Sequence, residues 1–262
     1  MQVFIPTHLR YNRQITWNNL PVLVREWTRL VVANGEGSKY DPNLPVVETP
    51  PEVRGIGATR QWVLENATED HIVMLDDDLT FAVRRTDVPS LFNPATADDV
   101  TRLFSSLDGH LDRYAHATVL AREFGNNNVT LLSECGRAMR ILAFNVAVLR
   151  KENVRFNPEL VQDDFDITLQ LLKKGYPNLI IGWMVQNQSG SGAAGGASAY
   201  RSMEAHNASV QKLAALHPGF VSVVEKKTKV AWGGQPRLDV VCQWKKAFQS
   251  SKRYDTGSKS ES

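Results

Sequence analysis

Short apolar runs alternate with longer amphipathic stretches through the first half of the chain. Val3, Phe4 and Ile5, cut off by Pro6, predict a buried first strand that ends at Thr7. Residues 14–27 can hold helix on either side of Pro21. Residues 30–33 read as a second strand closed by Asn34-Gly35-Glu36-Gly37, and 45–47 as a third. Apolar positions at Ile56, Trp62, Val63 and Ala67, after Gly55 and Gly57, predict a helix over 56–68. Residues 71–75 then form a strand that runs directly into Asp76, Asp77 and Asp78.

The second half is patterned less regularly. Helix is expected over 97–115, strand over 140–149, helix over 162–174 with Phe165, Leu169 and Leu172 on one face, and strand over 178–183. Residues 189–198 are Gly, Ser and Ala throughout and read as a flexible segment or a lid. A helix over 200–216 follows, and the alternation of Leu238, Val240, Cys242 and Trp244 predicts a late strand. Strands alternating with helices imply an α/β fold with a mostly parallel central sheet flanked by helices. In such sheets ligands sit beyond the carboxyl ends of the strands, which would put residues 7–13 and 76–78 on one rim. The expectation is a single domain over 1–249, then a disordered polar tail over 250–262.

Composition narrows the class. Hydrophobic residues make up 42% and charged residues 22%, so neither disorder nor a coiled coil fits the whole chain. The longest near-apolar stretch, 141–149, falls far short of the roughly 20 residues of a membrane span. No basic leader precedes the first strand, and Cys135 and Cys242 suit a reducing compartment, so a cytoplasmic location is expected. Net charge is +2, but residues 222–262 carry nine Lys and Arg against four acids. That asymmetry suits either a solvated basic face or a polyanionic partner met by Lys226, Lys227, Lys229, Lys245 and Lys246, with Trp232 able to stack on a base.

The sharpest chemical feature is the aspartate triplet. Three adjacent carboxylates at a strand end repel one another unless a cation sits among them, and Mg²⁺ or Mn²⁺ takes one or two carboxylates plus phosphate oxygens. Extended geometry would send Asp76 and Asp78 to one side as a D-x-D pair, leaving Asp77 auxiliary; the alternative is a solvated acidic turn. Nucleotide-sugar glycosyltransferases use D-x-D to hold the metal of a donor diphosphate. Haloacid-dehalogenase-like phosphatases use D-x-D-x-T, which Asp76, Asp78 and Thr80 also spell. At least three strand candidates precede the motif, which favours the first class. A second acidic cluster, Asp163, Asp164 and Asp166, opens a helix; either Asp163 or Asp164 is a candidate general base, or a helix cap. Gly57, Thr59 and Arg60 stand at a helix start that would suit a diphosphate. No two histidines have metal-ligand spacing, and His206 is the one candidate for a late ligand.

Together, Ile5-Pro6-Thr7 with Arg13, Gly57-Ala58-Thr59-Arg60, Met74 to Asp78, and Asp163 to Leu169 resemble a GT-A glycosyltransferase. With Leu79-Thr80-Phe81, Gly195 to Arg201 and Gln243 to Phe248, the chain is similar to phage-encoded glycosyltransferases associated with TET/JBP oxygenases. The resemblance implies a nucleotide-sugar donor, of the UDP-glucose or UDP-N-acetylhexosamine class, held by Pro6, Thr7, His8, Arg10, Arg13, Gly57, Thr59, Arg60, Asp76 and Asp77. It implies Mn²⁺ or Mg²⁺ on Asp78, Asp76 and His206. It also implies an acceptor hydroxyl on 5-hydroxymethylpyrimidine in phage DNA, reached through Arg201 and the basic residues above. The acid pair reads Asp-Asp where Glu-Asp is more usual in the fold. A phosphatase and a non-catalytic DNA-binding module are the rival classes.

Overall fold

The first apolar run becomes β1 (Gln2–Pro6), and the region around Pro21 folds as two short helices, α1 (Ile15–Asn19) and α2 (Val22–Glu26). Then come β2 (Thr28–Val32), β3 (Val46–Glu48), α3 (Ile56–Asn66), β4 (His71–Leu75), β5 (Leu79–Arg84) and β6 (Phe92–Pro94). The middle of the chain supplies α4 (Ala97–Leu111), β7 (His116–Ala121), α5 (Arg122–Gly125), β8 (Leu132–Glu134), β9 (Ile141–Asn145), α6 (Val146–Lys151) and α7 (Asp163–Lys173). The last elements are β10 (Asn178–Gln188), α8 (Met203–Leu216), β11 (Val221–Lys227), β12 (Pro236–Cys242) and α9 (Trp244–Gln249). The computed structural model describes residues 1–188, 202–227 and 236–251. The glycine-rich segment 189–198, Arg201, Lys229, Trp232 and the tail beyond residue 251 lie outside the described residues.

A ten-stranded sheet runs in the order β3-β2-β1-β4-β9-β7-β10-β5-β6, with β8 also on β10. From the pairings, β9, β5 and β8 run against the other seven strands, so the sheet is mixed but mostly parallel in direction. β11 and β12 make a separate antiparallel hairpin. The expected strand over 140–149 ends at Asn145, whose side chain accepts the Val148 N–H and caps α6. The late strand likewise stops at Cys242: Trp244 opens α9 and packs edge-on against Phe165 at 5.4 Å.

Apolar layers cover both sheet faces. On one, α4 lays Val100, Leu103, Phe104, Leu107 and Leu111 against Val3, Ile5, Val73 and Ile141. Each such burial stabilises by roughly 1.5–3 kcal/mol, and the Thr96/Asp99 capping box fixes where the helix starts. On the other, α3, α6 and α7 cover Ile72, Met74, Leu142 and Phe144. Buried polar residues of β7 are satisfied by β9: His116 Nδ1 lies 2.9 Å from the Ala143 carbonyl and the Thr118 hydroxyl donates to Ile141 O at 2.7 Å. β10 bulges between Ile181 and Val185, where a Cβ on Gly182 would meet Thr130 O at 2.2 Å. Only glycine lets the 126–131 loop cross there. Among the described residues no helix is long and apolar enough to cross a membrane.

Candidate active site

Parallel pairing of Phe4 with Met74 brings the carboxyl ends of β1 and β4 side by side, so Thr7 and the aspartate triplet share a rim. The chain does not stay extended there. Residues 77 and 78 form a turn, which Thr16 of α1 holds closed. Its hydroxyl donates to Asp76 O at 2.5 Å and accepts the Leu79 N–H at 2.8 Å, and its own N–H donates to Asp77 O at 3.1 Å. On the far side the Asp76 N–H donates to the carbonyl of Arg140, a residue with φ of 64°.

The turn overrides the alternation expected of a strand. Asp76, rather than siding with Asp78, reaches Arg60 Nη2 at 2.9 Å. Asp77 and Asp78 share one cation, Arg10, which bonds Asp77 closely and Asp78 Oδ2 at 3.1 Å. The Thr7 hydroxyl also donates to Asp77 at 2.6 Å, and Gln188 Nε2 to Asp78 Oδ2 at 3.0 Å. Asp77 and Asp78 are buried, at 6% and 3% exposure, yet among the described residues Asp78 Oδ1 has no hydrogen-bond partner. Burial pushes the Asp77 carboxyl up to about 6, against the pull of Thr7 and Arg10. Burial, reinforced by Asp78, raises Asp76 despite Arg60.

Arg60 ties this rim to the second acidic cluster. Its Nη1 lies 3.0 and 2.9 Å from the two carboxylate oxygens of Asp163. Burial works against the guanidinium charge, but Asp163, Asp76 and Asp164 outweigh it and raise its pKa. Asp163 is therefore consumed as a partner. Asp164 is partly exposed, and its Oδ1 accepts only the N–H of Phe165, at 3.0 Å. Burial and the neighbouring Asp163 push Asp164 up to about 7, with Arg60 and Arg137 opposing. A carboxylate near neutrality and free to face a ligand is what a general base requires. The third acid, Asp166, is taken by His217 Nε2 at 2.7 Å and Gln170 at 2.8 Å.

Other predicted residues have different surroundings. The space at Gly57 is filled by this chain itself: a Cβ would meet Asn157 O at 2.9 Å and Pro158 Cα at 3.0 Å. The side of α3 that Gly57 presents is thus packed against residues 157 and 158. Thr59 spends its hydroxyl on Gly55 O, 2.9 Å away. Pro6 ends β1, His8 pairs with Glu36 at 2.9 Å, and the Arg13 side chain is exposed. His206 is not turned toward the aspartates: its Nε2 meets the Leu238 carbonyl at 2.9 Å and its Nδ1 faces Gln162 Nε2 at 3.5 Å, so both ring nitrogens are engaged. Lys226 pairs with Asp239 at 2.7 Å, Lys246 donates to Gly219 O at 3.1 Å, and Lys227 and Lys245 are exposed. Thr16, Arg140, Gln188 and Arg137 carry no motif that singles them out, because each acts through backbone or through neighbours distant in sequence.

A divalent ion fits the triplet by donor chemistry. Among the described residues no three His, Cys, Asp or Glu converge on a cation site. Mg²⁺ and Mn²⁺ need only one or two carboxylates, the remainder being water and phosphate, and Asp78 Oδ1 is a buried hard donor without a partner. The unpartnered Asp78 Oδ1 is the donor that suits it, and Asp76, though held by Arg60, is partly exposed at the same turn.

The fold has solved counterparts. S. aureus TarS 1-349 in complex with UDP-GlcNAc superposes with a TM-score of 0.51 at 14% identity, over 82% of this chain and 66% of that one. The mannosyltransferase PcManGT from Pyrobaculum calidifontis, in complex with GDP-Man and Mn²⁺, gives 0.51 at 17% identity, over 74% of this chain and 57% of that one. A mycobacterial protein gives 0.50 at 11%, over 92% and 82%. The chain thus spans just under two thirds of the TarS fragment. These likenesses establish the GT-A nucleotide-sugar transferase fold. No protein of curated function matches the sequence. The profile of the TET-associated glycosyltransferases matches residues 1–195. The phosphatase reading of Asp76, Asp78 and Thr80 falls with that match, and the chain belongs to the TET-associated glycosyltransferase family.

Proposed function

We propose that the protein transfers a sugar from a nucleoside-diphosphate sugar to the hydroxymethyl oxygen of a 5-hydroxymethylpyrimidine in phage DNA, 5-hydroxymethylcytosine first, with inversion at the anomeric carbon. The observation that carries this reading is the double grip of Arg60, which joins Asp76 at the end of β4 to the acid pair that opens α7. One rim thereby holds both a group suited to the donor and a group suited to the acceptor. The nucleotide sugars bound by neighbours of this fold support the donor class, UDP-glucose or UDP-N-acetylhexosamine. The TET association of the family supports a hydroxymethylated base as acceptor.

Each side chain then has a task. Asp78 and Asp76 would hold Mn²⁺ or Mg²⁺, which when bound would supply positive charge to offset the leaving diphosphate. Thr7 and Arg10 hold Asp77 and keep the triplet turned toward the rim. Arg60 fixes Asp163, and Asp163 in turn keeps Asp164 from losing its proton too readily. Asp164 accepts the proton of the acceptor hydroxyl as that oxygen attacks the sugar from the face opposite the diphosphate. Lys227 and Lys245 meet DNA phosphates.

The test is incubation with Mn²⁺, a panel of nucleotide sugars and DNA containing hydroxymethylcytosine or hydroxymethyluracil, followed by mass analysis of the nucleosides. A gain of one hexose or one N-acetylhexosamine on the modified nucleoside is expected. Donor turnover with no modified nucleoside would move the acceptor away from DNA. DNA binding with no donor turnover would leave a non-catalytic module.

A further inference from the structure

Arg137 is used by none of the roles above. It lies between β8 and β9, with its guanidinium carbon 4.7 Å from the ring centroid of Phe165 and 5.7 Å from that of Phe124. Phe165 is the residue after Asp164 and is buried against Trp244. Phe124 is 43% exposed. Arg137 itself is exposed, and among the described residues its guanidinium has no hydrogen-bond or ion-pair partner.

Of the nearby acids, Asp164 feels the Arg137 charge without bonding to it, and the two glutamates are already taken. Glu123 is held by Arg140 at 2.8 and 3.2 Å, and Glu134 accepts the Tyr114 hydroxyl at 2.5 Å. The segment that carries Phe124 is also held firmly. Arg84 donates to Gly125 O at 3.2 Å and Asn128 O at 2.7 Å, while Arg140 anchors Glu123 from the side of the aspartate triplet. A planar cation with free N–H groups thus sits between two aromatic rings, one of them open to water, beside the carboxylate assigned as base. Flat, electron-rich rings with carbonyl and ring-nitrogen acceptors match such a surface through stacking and bidentate hydrogen bonding. Exposed Lys245, adjacent to Trp244, supplies a positive charge near Cys135 on the same side, where a phosphate would be met.

We infer that Phe124 and Arg137 form the seat of the acceptor base, an unpaired pyrimidine that stacks on Phe124 and accepts hydrogen bonds from Arg137. The inference rests on the proposed function and adds to it the state of the acceptor. A base stacked on a side chain must first leave the helical stack, so the acceptor is single-stranded or flipped out of the duplex.

The test measures acceptor KM and kcat with a single-stranded oligonucleotide holding one hydroxymethylcytosine. Anisotropy of the same labelled oligonucleotide gives its Kd in the presence of UDP and Mn²⁺. Phe124→Ala and Arg137→Ala are each expected to raise acceptor KM and Kd roughly tenfold, the scale of one base–aromatic stack. The rise should exceed any change in donor KM. Phe124→Tyr should restore binding, and both alanine variants should melt with the wild type because the side chains are exposed. Wild-type transfer with unchanged acceptor KM and Kd in both alanine variants would overturn the seat. A wild type that turns over donor yet modifies no DNA would overturn the underlying function, and the seat with it.

Discussion

Arg60 Nη1 lies 3.0 and 2.9 Å from the two oxygens of Asp163, although 103 residues separate them in the chain. Both side chains are buried, so each depends on the other's charge. Arg60→Ala strands the Asp163 carboxylate, and breaking a buried pair in this way costs about 3–5 kcal/mol. Arg60→Met combined with Asp163→Leu removes the buried pair, a replacement that is often neutral by itself, but it leaves Asp76 without its cation. The urea midpoint should fall sharply in the single variant and recover only in part in the double one, because Asp76 stays unpaired, at a similar slope. Neither variant should transfer sugar.

As the proposed base, Asp164 should set the pH dependence of the chemistry. Its folded pKa, near 7, means that transfer rate should rise with pH through about 7 and level off above it. Asp164→Asn should lower kcat by at least roughly a hundredfold, the usual scale for losing a general base, while UDP binding measured by calorimetry persists. Stability moves the other way. The folded pKa lies above the unfolded one near 3.9, so the native state holds the proton more tightly, and stability falls as pH rises from about 4 to about 7. Asp164→Asn should therefore be more stable than wild type at pH 8 and gain little at pH 4.

The parts of this site that sequence made legible are those with local chemistry. Consecutive carboxylates at the end of an apolar run identify Asp76 to Asp78, and an acidic helix start identifies Asp163 and Asp164, because strand ends and helix N-termini are visible in a few residues. The choice between Asp163 and Asp164 was not legible. It depends on Arg60, which belongs to another helix. The orientation of Asp76 was hidden as well, since Thr16 imposes a turn from 60 residues away. β7 escaped notice for a related reason: His116 and Thr118 interrupt its apolar character, and their burial is offset by the carbonyls of β9 and, for His116, by the Thr168 hydroxyl.

His116 offers a stability test free of the catalytic question. It is 1% exposed and stacked on Phe144 at 4.5 Å, and burial pulls its imidazole down to about 4. Between that value and the unfolded value near 6.5, the unfolded chain binds a proton that the native state refuses, so stability rises with pH across this window. Asp164 works in the opposite direction, which makes the comparison of His116→Gln with wild type the informative one. The variant should lose the wild-type gain between pH 4 and 6.5, a difference of roughly 3 kcal/mol at most. Chemical denaturation at closely spaced pH values measures it, and parallel pH profiles for the two proteins would contradict the assignment.

The three aspartates of the triplet should fail in different ways. Asp78 carries the unpartnered buried oxygen, and its loss leaves Arg10 still bound to Asp77. Asp78→Ala should therefore keep a melting temperature close to that of wild type while abolishing Mn²⁺-dependent binding of UDP. Asp77 is instead the anchor of Thr7 and Arg10. Asp77→Ala leaves the Thr7 hydroxyl without its partner and Arg10 with Asp78 alone, which costs about 1–3 kcal/mol, yet it should retain metal-dependent binding in proportion to the folded fraction. Calorimetry with UDP, first in chelator and then with Mn²⁺ restored, separates the two. Binding that survives both chelator and Asp78→Ala would remove the ion from the site, because the buried Asp78 Oδ1, which has no other partner among the described residues, would then be holding nothing.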